Sequence, residues 1–228
     1  MTGCGRLLSA AVLFLAAVAP ASAQRPQAGV GFLLGVPVGE FADNVDAAFG
    51  FGGHFDLGLG GGPVSLGGEA AILWYGTESR KIDLGPTIPE LAGTQVTLTT
   101  NNAMVLVLGR VRGQPRAGRW RPYVDGLFGF NYIYTSTSLD DDDSDDSGIE
   151  ATNLDDFVGS YGVGAGVQAD IGRPGGIRLD FGLRYLRGGQ ADYLTKGAIR
   201  RENGQAVLDI SRSRTDMVVA LVGISFGR

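Results

Sequence analysis

The sequence is nearly free of cysteine: Cys4 is the only one in 228 residues. Cys4 lies before Arg6 and the apolar run Leu7–Val18, which is followed by Ala21-Ser22-Ala23. This order predicts a secretory signal peptide over residues 1–23 that is cleaved after about Ala23. Cys4 precedes the apolar run, so it is not the modified cysteine of a lipoprotein. The mature chain then has no cysteine, which excludes disulfide bonds and thiol catalysis.

The sequence also lacks an apolar run long enough for a membrane-spanning helix. Leu7–Val18 is the longest candidate, and a helix needs about 20 residues to cross a bilayer. An excess of basic residues is missing too, because removal of Arg6 leaves 18 basic and 24 acidic residues, a net charge of −6. This balance argues against a general affinity for nucleic acid or anionic lipid.

Glycine is abundant, with 38 residues, and it falls within segments of alternating polarity. The clearest such segment is Phe157–Tyr185, where apolar side chains at every second position alternate with glycine and charged residues. A break at Gly172-Arg173-Pro174-Gly175-Gly176 divides it into two strands joined by a tight turn. Glycine weakens open strands, but inside a narrow closed barrel it leaves room for long charged side chains.

Eight segments show this alternation between Ala28 and Phe226, and the connections between them alternate in length. Long connections follow the first, third, fifth and seventh strands: Gly39–Ala48, about Thr77–Gly93, Ser136–Asp156 and the stretch after Gly188-Gly189. An even strand number with short turns at one end and long loops at the other is typical of outer-membrane barrels. We therefore predict an all-β fold: an eight-stranded antiparallel transmembrane β-barrel, an up-and-down meander formed by residues 24–228.

A secreted soluble β-barrel or sandwich shows the same alternation with its apolar face inward. Two features favour the membrane barrel. Aromatic residues cluster near strand ends, as in the girdles of membrane barrels: Phe49, Phe51, Trp74, Tyr123, Tyr132, Tyr134, Phe157, Tyr161, Tyr185 and Phe226. The polar face also carries both signs of charge.

These charges are predicted to face the barrel interior. The interior of an eight-stranded barrel is just wide enough for side chains to fill it. We therefore expect a structural charge network that plugs the lumen, formed by Asp56, Glu69, Arg110, Asp125, Asp170, Arg178, Asp180 and Arg184, with Arg112 on the same face. A narrow channel for small or hydrophobic solutes is the alternative, and it requires a wider barrel.

His54 is the only histidine, so any histidine-dependent catalysis must use it. A lipid A-modifying barrel enzyme needs a nucleophile, a base and an orienting carboxylate close together. Ser65 or Ser160 with Asp56 or Glu69 would have to serve, and no spacing selects them. We therefore expect no catalysis and no cofactor, with lipid A modification as a second alternative, and interpret His54 as an interior histidine bonded to carboxylates.

Two long connections carry further signals. The acidic run Leu139–Ser147 places Asp143, Asp145 and Ser147 at alternate positions before a glycine, which resembles a calcium loop. Leu154 stands where that loop needs its closing glutamate, so we interpret the run as a solvated acidic loop, with weak calcium binding as the alternative. After the seventh strand, Asn203-Gly204 lies between two β-capable runs and predicts the tip of an extracellular hairpin.

The chain resembles the small outer-membrane β-barrels that include the OmpA transmembrane domain, OmpX and the opacity-type adhesins. The resemblance covers the mature chain and is carried by Arg121–Gly129, Tyr161–Val167, Leu179–Tyr185 and the last strand with Phe226. It implies location in the bacterial outer membrane and a structural or adhesin-like role. We expect a monomer surrounded by outer-membrane lipid, whose outer loops meet any surface partner.

Overall fold

The computed structural model describes residues 26–83, 95–141, 149–171, 176–202 and 205–227. The predicted signal peptide lies outside them. The strands are β1 Pro26–Pro37, β2 Ala48–Gly58, β3 Val64–Asp83, β4 Gln95–Gly113, β5 Trp120–Asp141, β6 Ile149–Ile171, β7 Ile177–Gly188, β8 Gln190–Glu202, β9 Gln205–Arg214 and β10 Met217–Gly227. A short 3-10 helix spans Gly39–Phe41. Within these ranges, no helix is long and apolar enough to cross a membrane.

Eight of the strands close a barrel in the order β1-β10-β7-β6-β5-β4-β3-β2. All neighbours in the barrel are antiparallel. The first and last strands close the barrel, because β1 pairs with β10 on one side and with β2 on the other. Gln27 of β1 lies opposite Gly227 of β10 and opposite Asp56 of β2. The predicted eight-stranded antiparallel meander is therefore confirmed.

The barrel strands turn apolar side chains outward. In β7 the outward residues Ile177, Leu179, Phe181, Leu183 and Tyr185 are 36–58% exposed. The side chains between them, such as Asp180 and Arg184, are buried in the interior. This outward apolar surface is what contact with lipid requires.

One predicted girdle residue was placed wrongly. Tyr123 is only 4% exposed and faces the interior. The reason is parity: side chains alternate along a strand, and Tyr123 shares the inward face of β5 with Asp125 and Leu127.

The strands β3, β5 and β6 are longer than the sequence pattern suggested, at 20, 22 and 23 residues. The connection predicted for about Thr77–Gly93 is therefore too long, because β3 continues to Asp83 and pairs there with Gln95. Likewise β5 runs into the acidic segment as far as Asp141, opposite Val96. Pairing of two strands satisfies backbone hydrogen bonds without burying side chains, so proline-rich and acidic loops do not prevent it.

The remaining strands, β8 and β9, form a separate two-stranded sheet. Glu202 pairs with Gln205, so Asn203 and Gly204 fall between the strand ends, although both lie outside the described residues. We call this sheet the ribbon. Its base joins the barrel through hydrogen bonds from Gly189 N to Gly159 O (2.9 Å) and from Thr215 N to Gly189 O (3.1 Å).

Buried side chains fill the interior in two layers. The charged layer lies toward the end of the barrel where β1 begins, β10 ends and the short connections lie. It comprises Asp56, Glu69, Arg110, Arg112, Arg121, Asp125, Asp170, Arg178, Asp180 and Arg184. The apolar layer lies toward the opposite end; it includes Leu33, Leu73, Met104, Leu106, Leu108, Ile133, Leu186 and Val219. Most of these apolar residues are at most 1% exposed, so this half of the interior is packed like a soluble core.

Candidate functional site: the barrel interior

One part of the charged layer is centred on Glu69, which lies between two arginines. Arg110 donates from Nη1 to Glu69 Oε2 (3.4 Å), and Arg184 donates from Nη1 to Glu69 Oε1. Arg110 also donates two parallel hydrogen bonds to Asp56, one from Nε to Oδ1 (3.0 Å) and one from Nη2 to Oδ2. These four side chains come from β2, β3, β4 and β7, so the cluster crosses the interior and ties opposite walls together.

A second part joins Arg112 to two carboxylates. Arg112 binds Asp125 in bidentate fashion, at 2.7 and 2.8 Å, and its Nη1 lies 3.7 Å from Asp180 Oδ2. The guanidinium also lies over the Tyr123 ring, 3.5 Å from its centroid. Tyr123 in turn donates its hydroxyl to Asp180 Oδ1 at 2.7 Å. Charge-assisted and bidentate bonds of this kind are the strong ones in proteins.

The third part lies at the end of the barrel where the chain termini meet. Asp170 accepts from Arg121 Nη2 (2.8 Å) and from Arg178 Nε (3.0 Å). Arg178 also donates to Gly227 O (2.7 Å) and to Gln27 Oε1 (3.4 Å). Arg121 does not belong to the predicted network, but it lies on β5, which begins at Trp120, and faces the interior.

With Arg121 and Arg112 included, the charged layer holds five arginines and five carboxylates. Burial of a charge is costly unless it is paired and hydrogen-bonded. The balance therefore explains how so many charges fit inside one barrel.

Glycines on the inward face make the space for these side chains. A Cβ on Gly166 would lie 2.4 Å from the Tyr123 hydroxyl, and one on Gly164 would lie 2.9 Å from Arg184 Cγ. A Cβ on Gly67 would lie 2.2 Å from Asp56 Oδ1. Each long side chain thus crosses a glycine on a neighbouring strand, as expected for a narrow barrel.

Gly166→Ala is expected to destabilise the barrel. Its Cβ would also lie 2.3 Å from the backbone oxygen of Phe181, which cannot move without breaking the β6–β7 pairing. Overpacking of this kind costs about 1–3 kcal/mol. Urea unfolding in lipid vesicles measures the change. Gly126→Ala is the matched control, because a Cβ there has no neighbour within 4 Å; equal unfolding midpoints for the two variants would contradict this account.

His54 lies in the charged layer, 8% exposed, but its observed neighbour is a hydroxyl and not a carboxylate. His54 Nε2 is 3.5 Å from Ser225 Oγ, and that hydroxyl donates to Asp180 Oδ2 at 3.1 Å. Gln168 Nε2 binds both Asp180 Oδ2 (2.8 Å) and Ser225 Oγ (3.2 Å). The serine is fully buried and its proton points to the carboxylate, so the histidine is not placed to deprotonate it for attack on a substrate.

An aromatic cluster closes the opposite end of the barrel, above the apolar layer. Phe41 from the 3-10 helix packs edge-on against Tyr193 of β8, with ring centroids 5.4 Å apart, and Tyr75 of β3 completes the cluster. Tyr193 and Ser213 share a hydrogen bond of 2.7 Å. Burial raises the pKa of Tyr193 above its ordinary value, so its hydroxyl stays protonated. We call Phe41, Tyr75 and Tyr193 the aromatic cap.

Some predicted site residues lie outside the part of the chain that the structure describes. Asp143, Asp145 and Ser147, the weak calcium candidates, lie outside the described residues, as does the hairpin tip Asn203-Gly204. Within the residues that are described, no group of three or more histidine, cysteine or acidic side chains is placed to hold a metal ion. Ser65 and Ser160 are both inward, and neither forms a described bond to His54.

The sequence matches the family described as "Outer membrane protein beta-barrel domain" over residues 7–200. No curated protein matches the chain.

The solved structures to which this chain is similar include Neisserial surface protein A, with 13% identity, a TM-score of 0.41, and coverage of 91% of this chain and 97% of the other. A second is Ail, the attachment invasion locus protein of Yersinia pestis, solved with the heparin analogue sucrose octasulfate (10% identity, TM-score 0.45, coverage 90% and 97%). A third is a major outer membrane protein from Thermus thermophilus (15% identity, TM-score 0.40, coverage 90% and 100%).

Proposed function

Because this chain belongs to the outer membrane protein β-barrel family, and is therefore a barrel of the bacterial outer membrane, we propose that it binds a partner at the cell surface through the parts of its strands that project outward, and that it conducts no solute. The observation that carries the proposal is the length of β3, β4, β5 and β6, which have 19–23 residues each. A tilted strand needs only about 9–11 residues to cross the apolar slab. Roughly half of each long strand therefore projects beyond the membrane.

The parts of these strands that project beyond the membrane are paired with one another, so they form an ordered surface and not loose loops. β3 pairs with β4 out to Asp83 and Gln95, and β5 pairs with β6 out to Leu139 and Ile149. The ribbon stands beside them, because Asp192 N on β8 donates to Asp156 Oδ2 on β6 at 2.9 Å. Paired strands lose little further conformational entropy on binding, so they suit recognition of a partner at the cell surface.

The filling of the interior supports a closed lumen. The charged layer, the apolar layer and the aromatic cap succeed one another along the barrel axis, and a hydrated solute would have to displace all three. A narrow channel is therefore the weaker candidate. The buried serine beside His54 likewise supports a role without catalysis, because a lipid substrate outside the wall cannot reach it.

Planar-bilayer recording tests the closed lumen. The refolded protein should give no stable conductance steps. Phe41→Ala with Tyr193→Ala removes the aromatic cap and should also give none, because the two layers below remain filled. Regular steps from the unaltered protein would contradict the proposal, and steps from the double variant alone would show that the cap is the only barrier.

Adhesion assays test the surface role. Thr215 N bonds to Gly189 O, so the two ends of the ribbon are adjacent and a two-residue turn can replace residues 190–214. Cells that display the full barrel should adhere to matrix-coated surfaces severalfold more than cells with an empty vector, and the ribbonless barrel should lose most of that gain. Adhesion of the full barrel at the vector level would contradict the proposed role.

A further inference from the structure

A groove of about 770 Å³ runs along the outer wall of the barrel where β6 meets β7. Its floor is open because Gly159, Gly188 and Gly189 supply no side chains, and its walls include the rings of Phe128 and Tyr161. Both rings point outward, with exposures of 60% and 57%. The lower part of the groove is therefore an apolar slot on the lipid face.

Two arginines line the same groove, Arg187 and Arg214. Arg187 is exposed on the outward face of β7 and, among the described residues, has no hydrogen-bond or ion-pair partner. Arg214 Nε lies 3.9 Å from Asp216 Oδ2. Asp216 also accepts from Gly188 N (3.1 Å) and Tyr185 OH (3.4 Å). The other carboxylate nearby, that of Glu40, accepts from Arg214 N at 3.2 Å, so both acids are engaged by the protein.

The position of Arg187 along β7 sets its depth in the membrane. It follows the outward apolar series that begins at Ile177 and ends at Tyr185, at the end away from the short connections. The stretch of strand from Ile177 to Arg187 covers about 33 Å. At a tilt of about 40° this is roughly 25 Å of height, the thickness of the apolar band of such barrels. Arg187 thus lies at the outer interface, where lipid phosphates lie.

We propose that this groove binds one anionic lipid of the outer leaflet, with the lipid phosphate between Arg187 and Arg214, beside Gly159, and an acyl chain along the rings of Phe128 and Tyr161. The negative net charge of the chain opposes a general attraction to anionic membranes, so the site acts locally and through geometry. Arginine suits a phosphate because its planar guanidinium offers paired donors. The unpartnered state of Arg187 among the described residues leaves its donors free for this contact.

Native mass spectrometry of the refolded protein in detergent tests the site, with phosphatidylglycerol and phosphatidylcholine of identical acyl chains as probes. The unaltered barrel should retain one phosphatidylglycerol at least tenfold better than phosphatidylcholine. Arg187→Gln with Arg214→Gln should reduce retention to the phosphatidylcholine level. Gly159→Leu should do the same without a change of charge, because open space lies beyond that Cα and a leucine would fill the groove where the phosphate is expected to bind.

Arg212→Gln is the matched control, since Arg212 is a neighbouring arginine, 68% exposed, that does not line the groove. It should retain the lipid like the unaltered protein. Heat-modifiable migration in detergent gels checks that each variant is folded. Equal retention of the two lipids, undiminished binding by the folded double arginine variant, or displacement by glycerol 3-phosphate at the lipid's own concentration would each overturn the proposal.

Discussion

Glu69→Gln should lower the free energy of unfolding by about 3–5 kcal/mol, the usual cost of removing one partner from a buried ion pair. Glu69 neutralises both Arg110 and Arg184. Among the described residues, Arg184 has no other carboxylate, and its Nε and Nη2 already lack partners. Glutamine keeps the size of the side chain, so the decrease in the free energy of unfolding results from the lost charge and not from a cavity. Equilibrium urea unfolding in lipid vesicles, followed by the fluorescence of the two tryptophans, measures it.

Asp46→Asn is the control, because Asp46 is an exposed carboxylate in the connection between β1 and β2. It should change the free energy of unfolding by less than about 0.5 kcal/mol. A double variant, Glu69→Gln with Arg184→Met, should be less destabilised than the sum of the single changes, since the second removes a charge that the first leaves unpaired. Equal unfolding midpoints for Glu69→Gln and Asp46→Asn would show that the charged layer adds nothing to stability.

Phe181→Arg should impair insertion, with a loss of about 2–4 kcal/mol for arginine near the midplane of the lipid face. Phe181 is 42% exposed and sits in the middle of the outward series of β7. The experiment follows folding into vesicles by the fraction of protein that shows heat-modifiable migration.

Ile177→Arg is the matched control on the same strand and the same face. Ile177 is the first residue of β7, where the cost of arginine falls to about 0–1 kcal/mol. The outward assignment of Phe181 is wrong if both variants insert with the yield of the unaltered protein.

The eight strands and the faces of their side chains could be predicted from the sequence because period two is a local property of each strand. The lengths of β3, β5 and β6 could not be predicted, because pairing beyond the membrane depends on a neighbouring strand and not on an apolar pattern. Thr77 to Asp83 illustrate this, since they form a strand only opposite Gln95 to Asn101.

Most residues of the charged layer could be predicted from the sequence, but the hydrogen bonds between them could not. Alternation places Asp180 inward, but which donors reach it depends on barrel curvature. Tyr123, Gln168 and Ser225 all bind it from three other strands. The apolar layer was not predicted for a related reason: Met104, Leu106 and Leu108 look like lipid-facing residues until the parity of Arg110 and Arg112 assigns them to the interior.

The seam between β1 and β10 has a consequence for assembly. The residues it joins lie between 180 positions (Pro37 and Met217) and 200 positions (Gln27 and Gly227) apart in the sequence. This contact therefore carries the largest loop-closure cost and should be among the last to form. Until then β1 and β10 remain open edges that can pair with other chains. Closure also brings Gln27 of β1 to Arg178 and His54 to Ser225. The polar interior is therefore completed in the same step that pairs the two open strand edges. These polar contacts favour one register of the last strand over the others.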